Sequence, residues 1–329
     1  MQKHFKNIIN DALQLEITDI HIVLTKSCTI HFRHHGKLEM YREYDYTQGE
    51  KLINYIRYIS HIDLNYQWKP QTGNYVLEHT NQSYYLRISS LPSKQADSLV
   101  IRILNNHPTL SIDTISYFED TKHFLKLVAN MRHGLFIVSG ATGSGKSTTL
   151  YTLLDAIHDK GNKNIITLED PVEVVKEYCL QIQINAGQGM SYKNSLRQVL
   201  RHDPDIIMIG EIRDLETAKL AVNCALTGHL VLTTLHAGNC LTTLQRLLHF
   251  GISNLDLYEI LLGIVNQTMI YQEKTGKPIV LSEFMTRDAV HQYIDGNKKI
   301  PFITYCDHAQ ELLKKNIVTK QEVQEFLYE

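Results

Sequence analysis

Gly140-Ala141-Thr142-Gly143-Ser144-Gly145-Lys146-Ser147 fits the pattern G-x-x-x-x-G-K-[ST] at every fixed position. Glycines let the chain curl so that consecutive backbone N–H groups converge, an arrangement that binds phosphate. A helix beginning near Lys146 adds the positive end of its dipole. Lys146 is placed to give a point charge to the β- and γ-phosphates and Ser147 a hydroxyl ligand for Mg²⁺, with Thr148 completing the nucleotide-contacting set. A glycine-rich turn without a ligand is the alternative. The apolar run Leu135-Phe136-Ile137-Val138 before the loop and an amphipathic segment after it select the phosphate reading. The chemistry expected is binding and hydrolysis of Mg-ATP.

Such chemistry needs metal ligands and a group that orients water. Ile206-Ile207-Met208-Ile209-Gly210-Glu211 reads as a buried strand delivering Glu211 at its C-terminal end, and Ile165-Ile166-Thr167-Leu168-Glu169-Asp170-Pro171 repeats the design with Glu169 and Asp170, followed by Glu173. In doubly wound sheets that edge is where ligands bind. Ser147, Glu211 and Asp170 are the candidate Mg²⁺ ligands. A helix cap or a surface role is the alternative for any single acid. His229 and His236 bracket the strand Leu230-Val231-Leu232-Thr233-Thr234-Leu235. A lone histidine is ordinarily a core or surface residue, but on the next strand of such a sheet it is a candidate sensor of the γ-phosphate.

The elements that must position these residues follow from apolar patterning. Residues 1–104 read as a small α/β module: a helical opening at Ile8, Ile9, Ala12 and Leu13, strands at Asp19–Leu24 and Thr29–Arg33, a turn at His34-His35-Gly36-Lys37, and a helix at Gln48–Ile59. The segments Tyr84–Ser89 and Leu99–Leu104 look like strands of a half-exposed antiparallel sheet. Asn105-Asn106-His107-Pro108 punctuates a linker, taken as 105–113. From about Thr114 short apolar strands (Gly134–Gly140, Asn164–Asp170, Asp205–Glu211, His229–His236) alternate with helices (Lys146–Lys160, Tyr192–Arg201, Leu215–Ala225), which predicts a mostly parallel sheet covered on both faces over 114–250. Residues 251–329 are expected to form a helical C-terminal subdomain.

Composition narrows the partners. Lys plus Arg number 33 and Asp plus Glu 35, a net charge of −2 that gives no support for a nucleic-acid footprint. No apolar run approaches the roughly 18 residues a bilayer span needs, and the N-terminus does not read as a signal segment. The chain is expected in the cytoplasm, with membrane association only through a partner. Cys28, Cys179, Cys224, Cys240 and Cys306 form no Cys-x-x-Cys pair and read as reduced thiols, so no zinc is expected.

In combination these motifs resemble a known family, the secretion ATPases that power type II secretion, type IV pilus assembly and DNA-uptake pseudopili. After the P-loop, I-T-L-E-D-P-V-E at 166–173 resembles the family's aspartate box, L-R-Q-V-L-R-H-D-P-D-I-I-M-I-G-E-I-R-D at 196–214 its Walker B region, and T-G-H-L-V-L-T-T-L-H at 227–236 its histidine box. T-D-I-H-I at 18–22, Leu86–Pro92 and Val100–Leu104 are similar to its small N-terminal domain. The resemblance implies a PAS-like N-terminal domain followed by a RecA-like P-loop domain, working as a homo-hexameric ring. It implies that Glu211 polarises the Mg²⁺-bound water and that Glu169 contends for general base, without ranking them. It matches Arg87 and Arg102 to arginines that reach the γ-phosphate, and it leaves Arg213 between catalysis and a structural ion pair.

The implied partners are a polytopic membrane platform protein and, through it, pilin-like proteins, with no direct nucleic acid. Several departures bear on the branch. Ala96-Asp97 replaces the usual G-E, Ala237-Gly238-Asn239-Cys240 replaces a polar run after His236, and the helix expected at 261–270 lacks an arginine after Gln267. Residues 1–329 hold no tetracysteine zinc insert, the extra N-terminal domain of longer members is not expected, and no A-I-R-N-L-I-R-E helix of the retraction type follows residue 251. The short competence type is favoured, with pilus retraction and type II secretion as alternatives. A nucleotide-gated scaffold with little hydrolysis and a DNA-translocating RecA-like motor are the rivals from other classes.

Overall fold

A computed structural model describes every residue except 16, 35–36, 67, 80–81, 105–109, 185–189, 273–274, 298 and 328–329. The chain divides into two compact units: Met1–Pro108 with Glu173–Val175, and Thr109–Val172 with Lys176–Glu329. The residues 35–36 of the expected turn and 105–109 of the expected linker lie outside the described residues.

The first unit runs α1 (Gln2–Gln14), β1 (Asp19–Leu24), β2 (Ser27–His34), β3 (Lys37–Asp45), α2 (Tyr46–Ile59), β4 (Gln71–His79), β5 (Gln82–Pro92) and β6 (Asp97–Ile103). Its strands make one antiparallel sheet in the order β3-β2-β1-β6-β5-β4. Alternation along β1 sends Ile20, Ile22 and Leu24 into a core shared with Phe5, Ile8 and Ile9 of α1 and Leu52, Ile53 and Ile56 of α2. Asp45 starts α2 by accepting the Gln48 N–H at 2.8 Å. Arg57 of α2 is buried inside this unit, where it ion-pairs with Asp97 and donates to the Ser90 hydroxyl at 2.9 Å. That is the contact made by the Ala96-Asp97 departure at the start of β6.

The second unit adds α3 (Ile112–Ile115), α4 (Glu119–Val128), β7 (Gly134–Gly140), α5 (Lys146–His158), β8 (Ile165–Glu169), β9 (Leu180–Gln183), α6 (Tyr192–Val199), β10 (Ile206–Ile209), α7 (Leu215–Leu226), β11 (Leu230–Leu235), α8 (Cys240–His249), α9 (Asn254–Ile260), β12 (Leu261–Tyr271), β13 (Pro278–Thr286), α10 (Arg287–Ile294) and α11 (Tyr305–Lys314). The sheet order is β13-β12-β7-β11-β10-β8-β9. Neighbours from β12 to β9 are parallel and only β13 runs against β12. β7, β8, β10 and β11 are buried at every residue, as strands covered on both faces must be. Their C-terminal ends therefore share one edge, which carries the P-loop, Glu169, Glu211 and His236.

The helix expected at 261–270 is a strand, and β13 follows it, so the C-terminal segment is mixed rather than mostly helical. An apolar run of this length has no decisive periodicity, and β7 offers an unpaired side that β12 fills. Gly263 makes the fit possible: with φ +155 it sits at a register shift, where a β-carbon would lie 2.5 Å from the Phe124 ring and 2.6 Å from the Met285 carbonyl.

Candidate active site

The P-loop joins the end of β7 to α5. Gly140, Gly143 and Gly145 all take positive φ, and at Gly140 a side chain is also excluded by space, since a β-carbon would lie 2.2 Å from the Gln267 carbonyl oxygen and 2.7 Å from Ser144 Oγ. Ser144 Oγ is buried with no hydrogen-bond partner among the described residues, a polar atom in the loop with its bonding capacity unmet there. Lys146 is buried and its Nζ donates to the carbonyls of Gly140 at 3.0 Å and Ala141 at 2.7 Å, so the ammonium is held inside the loop. Thr149 donates to Gly145 O and faces the Gln267 amide of β12, which anchors the first turn of α5 to the sheet. Ala141, Thr142 and Gly143 are exposed, and Ser147 and Thr148 are half-buried at the start of α5. These residues suit a triphosphate with its Mg²⁺: glycine-curled backbone, one ammonium, a hydroxyl at the helix start and carboxylates on the same edge.

The two glutamates are not equivalent. Glu169 is 4% exposed and accepts from Thr167 Oγ1 at 2.6 Å, from Gln181 Nε2 at 3.1 Å and from the Tyr151 hydroxyl. Glu211 sits just beyond β10 with its side chain 22% exposed, and its two oxygens face His236 Nε2 at 3.2 Å and Arg213 Nε at 2.9 Å. Arg213 also reaches Asp170 with Nη1 at 2.9 Å and so ties the ends of β8 and β10 together. Its hydrogen bond to Glu211, with the charges of Glu211 and Asp170, raises the guanidinium pKa further. Beneath this cluster Thr234 of β11 donates to Gly210 O at 2.6 Å.

His236 joins the halves. Its Nδ1 lies 3.2 Å from Gly140 O of the P-loop and its Nε2 lies 3.2 Å from Glu211, so one imidazole spans the phosphate loop and the acid. The loop after it is pinned despite its departure from the family pattern. Arg246 donates to His236 O at 2.5 Å, Asn266 donates to Ala237 O at 3.0 Å, and Asn239 caps α8 by accepting the Thr242 N–H at 2.7 Å. The buried Glu283 accepts the Cys240 N–H, and burial beside that carboxylate drives the Cys240 thiol pKa well up.

His229 is not brought to this place. It precedes β11, at the N-terminal edge of a parallel sheet, and its Nδ1 meets Cys224 O at 2.9 Å. Six strand residues rise roughly 20 Å from one edge to the other, so of the bracketing pair only His236 stands with the P-loop. Strand polarity in the sequence already separates the two. Arg87 and Arg102 lie in the first unit as direct cross-strand neighbours. Arg102 pairs with Asp19 through Nε at 2.7 Å, whereas Arg87 Nε is buried without a partner among the described residues. Sequence reasoning missed Tyr151, Gln181, Thr234, Arg246 and Gln267, whose contacts span 10 residues or more of the chain, and Thr167, a strand neighbour of Glu169 with no motif signature.

The family profile of the Type II/IV secretion system protein matches residues 1–324. The chain is 40% identical over 271 residues to Competence protein ComGA of Bacillus subtilis, covering 82% of this chain and 76% of that protein. Competence protein ComGA of Halalkalibacterium halodurans is 35% identical over 268 residues, with 80% of this chain and 77% of that protein covered. Type II secretion system protein E of Pseudomonas aeruginosa is 35% identical over 265 residues, which cover 80% of this chain and only 53% of the longer relative. In fold, the pilus retraction motor PilT with bound ADP superposes with a TM-score of 0.80 at 24% identity, over 98% of this chain and 96% of that one. The Legionella pneumophila ATPase DotB gives 0.77 at 21% identity, over 98% and 94%. With a RecA-like architecture, an intact P-loop and these relatives, the chain belongs to the type II/IV secretion system protein family.

Proposed function

We propose that this protein is a competence-type motor that hydrolyses ATP in the cytoplasm to drive assembly of a pilus-like filament used in DNA uptake. Its ATP-hydrolase chemistry follows from family membership and the site together, and likeness to two competence proteins supports the pathway. The observation that carries the reading is the His236 bridge between Gly140 O and Glu211. It couples the loop that holds the triphosphate to the acid that must act on water.

In this reading the P-loop from Gly140 to Thr148 cradles the phosphates and Lys146 leaves its two carbonyls for them. Ser147, Glu211 and Asp170 face Mg²⁺, which when bound offsets the charge of the phosphate oxygens. Glu211 is the carboxylate that aligns the attacking water, while Glu169, saturated by its own donors, holds the end of β8. Arg213 keeps Asp170 and Glu211 in register. Arg87 and Arg102 supply cationic donors to the γ-phosphate, each such contact contributing about 1.5–3 kcal/mol. Losing that charge on hydrolysis is enough to bias a two-state motion. The working form is a homo-hexamer at the inner face of the membrane, held there by a polytopic platform protein. No helix among the described residues is long and apolar enough to cross a membrane, which fits that arrangement.

Phosphate release and calorimetric nucleotide binding test this directly. Wild type is expected to turn over ATP, Lys146→Ala to lose binding, and His236→Ala to keep binding with turnover down about tenfold or more. Wild-type turnover in either variant overturns the assignment. For the pathway, deletion of the gene is expected to abolish transformation, and unimpaired DNA uptake in the deletion strain overturns it.

A further inference from the structure

One polar group at the hydrolytic edge has no use in the scheme above. The ring of Tyr192, the first residue of α6, packs against the core of the second unit. Its hydroxyl is buried and has no hydrogen-bond partner among the described residues. A β-carbon on Gly210 would lie 3.7 Å from this oxygen and 3.4 Å from Glu169 Cα. The phenol is therefore wedged where β8 and β10 end, one residue from Asp170 on one side and from Glu211 on the other. A buried O–H without an acceptor forfeits hydrogen-bond energy, so native proteins rarely keep one without a reason.

The acceptors nearby differ in what they still lack. Glu169 is filled by Tyr151, Thr167 and Gln181, and each oxygen of Glu211 already has a partner, His236 or Arg213. Asp170 has Arg213 as its one protein partner among the described side-chain contacts, through Oδ2. We propose, on the reading of this site as hydrolytic, that Tyr192 is a further positioning residue, its O–H a second donor available to the Asp170 carboxylate beside Arg213. Burial first, then the negative charge of Asp170, pushes the phenol pKa up to about 12. The group thus keeps its proton at any ordinary assay pH and serves as a donor, never as a base.

Tyr192→Phe keeps the ring and deletes only the oxygen. Three measurements on the full-length variant test the idea: thermal unfolding without nucleotide, phosphate release, and calorimetric Mg²⁺ affinity with a non-hydrolysable ATP analogue. The expected result is a Tm equal to wild type or higher, because an unmet buried polar group has been removed. With it, kcat falls about tenfold at a KM for ATP within about twofold, and Mg²⁺ binds about tenfold more weakly. In an Asp170→Asn background the same substitution is expected to cause no further loss. A kcat within twofold of wild type, full multiplication of the two effects, or a lowered Tm overturns the proposal. Wild-type protein that releases no phosphate overturns this and the proposed function together. An active wild type with an indifferent Tyr192→Phe overturns this alone.

Discussion

Replacing each glutamate at the sheet edge by glutamine separates a structural carboxylate from a chemical one. Glu169 is 4% exposed and receives donors from Tyr151, Thr167 and Gln181. In Glu169→Gln one oxygen becomes an NH₂ facing groups that are themselves donors, so at least one charge-assisted hydrogen bond is lost, at a cost of about 1.5–3 kcal/mol. For a unit of this size that lowers Tm by about 3–12 °C. Glu211 is less enclosed and its partners Arg213 and His236 are half-exposed. Glu211→Gln is therefore expected to lower Tm by no more than about 4 °C, since exposed ion pairs contribute about 1 kcal/mol or less. Turnover should split the other way. A carboxylate that aligns or deprotonates water contributes about 10²–10⁴-fold, so Glu211→Gln loses at least a hundredfold in phosphate release while Glu169→Gln, assayed well below its melting point, loses less than tenfold. Differential scanning calorimetry and phosphate release at 25 °C on the same preparations decide the matter. A Glu169→Gln protein that melts like wild type but has lost a hundredfold in kcat would refute the assignment.

Gly140→Ala is expected to lose nucleotide binding and at least about 2 kcal/mol of stability, because the new β-carbon meets the Gln267 carbonyl 2.2 Å away at a φ of +141; a variant that melts and binds like wild type would contradict the close approach. His308 stacks on Phe118 with its Nε2 3.1 Å from Asp120, and burial holds its pKa below the ordinary 6.5 although Asp120, Glu311 and Asp307 pull the other way. The unfolded chain then takes up this proton first, so the associated stability is complete above pH 6.5 and is lost as pH falls through the lower, folded value. Thermal melts between pH 7.5 and 5 should show a shallower acid-side decline in His308→Gln than in wild type, and an equal slope would count against it.

The P-loop was legible because everything it needs lies within Gly140–Ser147: glycines for the curl, amides for the phosphates and a lysine at the first helical turn. The parallel sheet was legible for a similar reason, since continuous apolar runs ending in Glu169, Glu211 and His236 announce both burial and the edge at which the chain emerges. What β12 becomes was not legible. L-L-G-I-V-N-Q-T-M-I is apolar enough for helix or strand, and the free side of β7 decided between them. Nor could residue type rank Glu169 against Glu211. Both end a strand with an acid, and the difference lies in Tyr151, Gln181, Arg213 and His236, which approach from elsewhere in the chain.

By itself, then, the sequence determined a phosphate-binding loop motif, the strands that end beside it and the near-neutral net charge, all properties of contiguous residues or of composition. Only the tertiary structure decided which acid meets His236, which of two histidines spans loop and acid, and that a tyrosine oxygen beside two strand ends has no hydrogen-bond partner among the described residues. Hydrogen bonds and burial act over a few ångströms in space and take no account of separation along the chain.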